Sequence, residues 1–137
     1  DMPIYDAYIS TRLLFKEESR RVDIRTLQET VPLPDVCYMV SAENPMDQVL
    51  PPEINEARSR ELLEQSLRDG VFLAEGWGEL QEYREKMVLV RDRDRALTYA
   101  RQYGQRAIFM LDIPGDELMV VVTESDEIVR RRVLGIR

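Results

Sequence analysis

The chain has 137 residues, 44% of them hydrophobic and 33% charged, with a net charge of −7 and no histidine. That length suffices for one domain spanning 1–137 with a core of its own, and the acidic balance makes nucleic acid an unlikely partner, since neutralising phosphates takes a surplus of Lys and Arg. The missing histidine excludes Ser-His-Asp and Cys-His catalysis and removes the commonest general base near neutral pH; the single cysteine, Cys37, rules out an internal disulfide and leaves no good set of zinc ligands.

Residues 5–15 alternate, with Tyr5, Ala7, Ile9, Thr11, Leu13 and Phe15 on one side and Asp6, Ser10 and Arg12 on the other, which predicts a half-buried strand. A charged turn follows at 17–21. Residues 22–24 then read either as a second short strand or as the opening of a helical turn through Leu27. Pro32 and Pro34 make 31–35 irregular. The apolar run 36–40, bounded by breakers, predicts a central strand. The longest irregular stretch is 41–52, with a turn-initiating Asn44-Pro45 and with Pro51-Pro52 suited to a first helical turn. Residues 53–69 are helical and stop at Gly70. Asn55, Ser59, Leu62, Leu63, Ser66 and Leu67 share one face of that helix, so Asn55 points at the core or its rim. A strand opens at 71–74 and is broken by Gly76-Trp77-Gly78; 79–85 is a polar loop, and 86–90 is the next strand. Asp92 caps a helix over 93–103 whose stripe is Ala96, Leu97, Ala100 and Tyr103. Gly104 stands where a left-handed C-cap ends a helix, which holds Gln105 at a helix-to-strand corner. Segments 107–113 and 118–122 flank Pro114-Gly115-Asp116-Glu117 as a hairpin, and 127–136 fits a terminal strand or a short helix.

This order predicts an α+β fold: a mixed, mostly antiparallel sheet with two main helices on one face. Because a strand-helix-strand unit occurs twice, some strand neighbours are expected to be parallel. No apolar run approaches the ~20 residues of a membrane-spanning helix, and the first residues lack the basic-then-apolar pattern of a secretory signal. A cytoplasmic location with no membrane association is therefore the expectation. Nothing in the pattern specifies an oligomeric state.

Four motifs recur in a recognisable order: Ser41-Ala42-Glu43-Asn44-Pro45, Asn55 early in the first long helix, Tyr83-Arg84-Glu85-Lys86-Met87-Val88, and Tyr103-Gly104-Gln105-Arg106-Ala107-Ile108. Over roughly residues 5–122 the chain resembles the bacterial family known as domain of unknown function 3293. That family carries a Thr-Ala-Trp-Asn-Pro-like loop, a helical Asn, a Trp-x-Glu-x-Ser-like stretch and a Phe-Gly-Gln-x-Ala-like corner. Asn44, Pro45, Asn55, Glu85, Gly104, Gln105 and Ala107 match. Glu43 replaces the aromatic residue of the loop, Tyr83 the tryptophan and Met87 the serine, so the chain departs from the family pattern at the positions on which a serine-dependent or aromatic-stacking role would rest. The resemblance implies a fold and candidate positions, and no activity.

Asn44, Asn55, Glu85 and Gln105 are the candidate ligand-binding residues. Were their elements neighbours in the sheet, two Asn, one Gln and one Glu would form a hydrogen-bonding cleft for a small polar ligand such as a base or an amide. The plainer alternative is that each makes local backbone bonds, Asn44 in an Asx-turn and Gln105 on helix carbonyls. Glu85 alone could act as a general acid or base, and only if burial raised its pKa. No catalytic group beyond this weak candidate, no metal site and no cofactor is expected. Gly76-Trp77-Gly78 lacks the third glycine and the following helix of a phosphate loop; its indole is either presented outward or folded onto the core. Arg20-Arg21 and Arg130-Arg131-Arg132 have acidic neighbours and read as solvated, self-compensated patches. Cys37 reads as buried and inert. The expected function is a small binding module with a polar pocket. The alternatives are an acidic interaction module engaging a basic protein partner through its surface or a sheet edge, and a histidine-independent enzyme using Glu85.

Overall fold

The computed structural model describes residues 2–137. In chain order the elements are α1 (Met2–Ile9), β1 (Arg12–Glu17), β2 (Arg20–Val22), α2 (Ile24–Thr30), β3 (Val36–Ser41), a 3-10 turn (Pro45–Asp47), α3 (Pro52–Arg68), β4 (Phe72–Leu80), β5 (Tyr83–Val90), α4 (Arg93–Gln102), β6 (Ala107–Asp112), β7 (Glu117–Val122) and β8 (Ile128–Val133). The strands form one open eight-stranded sheet in the order β2-β1-β4-β5-β3-β6-β7-β8. Every neighbouring pair is antiparallel. The fold is thus α+β, and the expected parallel neighbours do not occur. Both strand-helix-strand units exist, but each skips a strand. β5 lies between β3 and β4, and β3 lies between β5 and β6, so the strands each helix joins run the same way with an antiparallel strand between them.

Alternation along the strands makes two apolar faces. Tyr38, Val40, Val88, Val90 and Ile108 pack with α3 and α4 residues such as Leu62, Leu97 and Tyr99. Phe15, Met39, Leu89, Phe109 and Leu111 pack on the other face with Ile24 and Leu27 of α2 and Tyr5, Tyr8 and Ile9 of α1. The two long helices do share one face; two short helices cover the other. Asp23 caps α2 by accepting from the Thr26 N–H, and Asp92 caps α4 through the Arg95 N–H. Among the described residues no helix is long and apolar enough to cross a membrane.

Several local expectations are corrected. Residues 2–9 are helical, because Ile4, Tyr5, Tyr8 and Ile9 also make a stripe at helical spacing and the arginines of β8 hold that helix to the sheet. Arg132 donates from Nε to the Ile9 carbonyl and from Nη2 to the Thr11 carbonyl, both at 2.7 Å, at the helix C-terminus where cations suit the dipole. Arg130 pairs with Asp6 at 2.7 Å and Arg131 with Glu117 at 2.7 Å, so this triplet is a structural clamp rather than a solvated patch. β4 also runs straight through Gly76-Trp77-Gly78, and the 79–85 loop is in fact a tight hairpin to β5. Gly76 is needed there because a Cβ would lie 2.5 Å from the Leu14 carbonyl oxygen of the paired strand. Leu67, placed on the inner face of α3, is exposed, whereas Asn55, Leu62 and Ser66 are buried. Residues 22–30 satisfy both readings in turn, ending β2 and then forming α2, and the 127–136 segment forms a strand.

Candidate functional site

β3 ends at Ser41 and delivers the chain into a loop that crosses the end of the sheet before α3 begins. Asn44, Met46 and Asp47 all have left-handed backbones there, at φ 45°, 51° and 63°, a conformation that persists only where the surroundings impose it. Asn55 supplies much of that restraint. Its Oδ1 accepts from the Asn44 N–H at 3.0 Å, while its Nδ2 donates to Asn44 Oδ1 at 2.7 Å and to the Leu50 carbonyl at 3.3 Å. Asn44 Oδ1 also accepts from the Leu50 N–H at 2.9 Å. The second restraint is the α4–β6 corner. Gly104 has φ +68°, and a Cβ on it would meet Pro45 Cβ at 2.8 Å, so glycine is required both for the turn and for the packing of the loop. Its carbonyl accepts from the Met46 N–H at 2.7 Å. Gln105 Nε2 then donates to the Glu43 carbonyl at 2.8 Å and the Tyr103 carbonyl at 3.2 Å. Arg58 ties the same region together from α3, through the Ala42 and Tyr103 carbonyls, each at 2.6 Å.

Beside this loop, on the α1 side of the sheet, lies a depression of about 290 Å³. Its apolar walls are Ala7, Val49, Leu80, Met87, Ala107 and Phe109, and its polar groups come from Tyr8, Thr11, Ser41, Asn44, Asp47, Tyr83, Glu85 and Gln105. Tyr83 bridges two of these. Asn44 Nδ2 donates to its phenol oxygen, and its hydroxyl donates to Glu85 Oε2 at 3.3 Å. The Glu85 carboxyl is pushed up to about 7, first by burial, with Glu43 and Asp47 adding to the rise and the Ser41 and Tyr83 hydroxyls opposing it. Burial and then Glu85 push the Tyr83 phenol up to about 12. Burial raises the Tyr8 phenol further still, with Asp47 and Glu85 contributing. Arg106 is held at the rim by Asp47 at 2.5 Å.

Of the four residues singled out from the sequence, Asn44, Glu85 and Gln105 line this depression. Asn55 does not; it stands behind Asn44 with its amide fully engaged. The two amides that line the depression also bond main chain: Asn44 Oδ1 accepts from the Leu50 N–H six residues on rather than closing an Asx-turn, and Gln105 reaches the Tyr103 carbonyl at the end of α4 and the distant Glu43 carbonyl. Tyr8, Ser41 and Asp47 were not singled out. The period-two spacing of Tyr83, Glu85 and Met87 on β5 carried the signal for Tyr83, had 79–85 been read as part of a hairpin. Among the described residues no three His, Cys, Asp or Glu side chains gather in a way that could hold a metal ion.

The other features of the sequence lie apart from this depression. Trp77 is half-buried on the opposite face with the Arg21 guanidinium 5.2 Å from its ring centre, and it borders a second cleft of about 240 Å³ beside α3. Cys37 is fully buried, and burial pushes its thiol up to about 12, which leaves it unreactive at neutral pH.

Among proteins of established description and among solved structures, no match to the chain is found. The model of a family described as a protein of unknown function (DUF3293) does match, over residues 40–108. That half of the chain runs from the end of β3 to the start of β6 and includes Asn44, Asn55, Glu85 and Gln105. The chain accordingly belongs to the DUF3293 family.

Proposed function

We propose that this protein is a small binding module that holds a small polar ligand in the depression lined by Asn44, Glu85 and Gln105, with Asn55 keeping Asn44 in place. One observation carries the reading: polar side chains from a loop, a strand and a helix-to-strand corner converge on a single concavity whose walls are otherwise apolar. Small-molecule sites have that composition, with a few placed polar groups fixing orientation inside an apolar cavity. The amide clamp of Asn44 and Asn55 sets the groups before any ligand arrives, which lowers the ordering cost of binding.

A thermal-shift screen over nucleobases, amides, amines and amino acids tests this. A hit should raise the melting temperature of the parent and leave Ala7→Trp unmoved, because Ala7 is an exposed position on the rim and an indole there fills the cavity. A hit that stabilises Ala7→Trp as well as the parent overturns the reading. The position of Glu85 near 7 favours a second reading, in which it moves a proton on the bound molecule. Conversion of a hit by the parent and not by Glu85→Gln is the result that would favour it.

A further inference from the structure

Counting donors and acceptors around the depression identifies what it lacks. The Asn44 Nδ2 donates to Tyr83, and the Tyr83 hydroxyl donates to Glu85. Both carbonyls bonded by Gln105 Nε2 are acceptors, which fixes the amide orientation and turns Oε1 away from them. The Thr11 hydroxyl donates to the Ala7 carbonyl at 3.1 Å. Ser41 Oγ accepts from the Glu43 N–H at 3.0 Å, and its proton serves Glu85. The nearby cation, Arg106, is engaged by Asp47 and the Met46 carbonyl. Two donors stay uncommitted among the described residues, the Tyr8 hydroxyl and the second Asn44 Nδ2 proton, and the rest of the unused capacity, including all of the unused charge, is acceptor. Gln105 is only 8% exposed, and its Oε1 takes no hydrogen bond among the described residues. The Glu85 carboxylate keeps further lone pairs, and Asp47 adds negative charge at the rim.

We infer that the ligand is a small organic cation, an ammonium or amidinium group on an apolar body, with its N–H donors on Glu85 and Gln105. This rests on reading the depression as a binding site and names its ligand class. An anion would face Glu85 and Asp47, with Glu43 adding negative potential from behind, and no lining residue among the described ones is an unengaged cation to receive it. A neutral donor would satisfy Gln105 but leave the buried carboxylate without a counter-charge, a costly arrangement. A cation meets both needs, and Leu80, Met87 and Phe109 accommodate its apolar part.

Binding is therefore linked to the ionisation of Glu85. Tyr8 faces that carboxyl from α1, Ser41 from β3, Glu43 and Asp47 from the loop with Arg106 beside Asp47, and Tyr83 from its own strand. Both phenols are raised and stay neutral around pH 7, where Glu85 itself gains and loses its proton.

Benzylamine, benzyl alcohol and benzoate, three probes of one size and different charge, are titrated into the isotope-labelled full chain and followed by amide NMR. Benzylamine should shift the Met87, Gln105 and Ala107 amides saturably at about pH 7.5 and bind more weakly at about pH 5.5, where Glu85 is protonated. In Glu85→Gln its affinity should fall about tenfold, the difference between a charge-assisted and a neutral hydrogen bond. A melting curve confirms that the variant folds, and the pH series on the parent carries the test if it does not. Equal or tighter binding of benzyl alcohol or benzoate at the same amides overturns the cation assignment while leaving the binding site in place. Absence of a saturable benzylamine shift, or an affinity indifferent to pH, also overturns the cation assignment, and the Ala7→Trp screen decides the site itself separately.

Discussion

The two faces of the sheet are covered by helices of different reach. On one, α3 with 17 residues and α4 with 10 close over the central strands and bury Ala96, Tyr99 and Ala100 completely. On the other, α1 has 8 residues and α2 has 7, and they leave the Ser41, Gly78 and Glu85 region of the same strands open as a depression. The residues under each cover differ accordingly. The long-helix face buries Val40, Val88 and Val90, whereas the short-helix face carries Ser41 and Glu85 on the same two strands. Where the cover is complete, a polar group at the same register would be buried without a solvent path. Where it stops short, a carboxyl can be dry enough to titrate near 7 and still be reached. Both faces bury a core, and the difference lies at one end of the short-helix face, where the cover stops and the proposed site opens.

The sharpest way to break that division is to remove a side chain from the complete cover. Leu62 is 1% exposed between α3 and the sheet, and Leu62→Ala should cost about 3 kcal/mol in denaturant unfolding, the lost transfer energy plus the cavity left behind. A loss below ~1 kcal/mol would mean that this face collapses easily and is not the rigid half of the molecule.

The open face should answer with the opposite sign. Folding raises the Glu85 carboxyl from 4.5 to about 7, so the native state holds its proton more tightly than the unfolded chain. Stability from this group is complete below the ordinary value, declines as pH rises from 4.5 to 7, and stays reduced above that. Glu85→Gln removes the penalty and should stabilise the protein at about pH 8 by about 2 kcal/mol, with little effect near pH 4.5. Paired urea melts at the two pH values check this; a destabilised variant at pH 8 would show that the ionised carboxylate is needed for folding. Removing the group proposed to recognise ligand would then strengthen the fold, as expected where a site retains a costly buried charge.

The parts of this fold that could be read from sequence are those whose cause is local. The α4–β6 corner was legible because Asp92, the stripe of Ala96, Leu97, Ala100 and Tyr103, and Gly104 lie within one segment and agree with each other. The α1 segment was not, because Tyr5, Ala7 and Ile9 fit a strand while Tyr5, Tyr8 and Ile9 fit a helix; the arginines that hold the helix come from β8, at the other end of the chain. Gly76 and Gly78 read as breakers by the usual rule. Their reason for being glycine is the approach of Leu14 from β1 and of Thr11 and Met87, which the local sequence does not display. The site divides the same way. Asn44, Glu85 and Gln105 sit at positions with local signals, and the partnership of Asn44 with Asn55 follows from the loop returning to α3. Tyr8 reaches the depression only because α1 is a helix, and it was lost with that misreading.

The smallest expected effect probes the seam between the two kinds of structure. The Tyr83 side chain is 48% exposed, but its hydroxyl joins the rigid Asn44 clamp to the titrating Glu85. Tyr83→Phe removes one hydrogen bond at a half-exposed position and should cost no more than about 1 kcal/mol of stability. Its consequence for Glu85 is specific. The phenol hydroxyl favours the ionised carboxylate, so without it Glu85 should titrate higher than in the parent, followed by the side-chain carbon resonance in a pH series. A merely structural tyrosine would lower stability and leave that titration where it was. If Glu85 titrates unchanged in Tyr83→Phe, burial and its other neighbours govern the carboxyl, and the Asn44 clamp holds the loop without tuning the acid beside it.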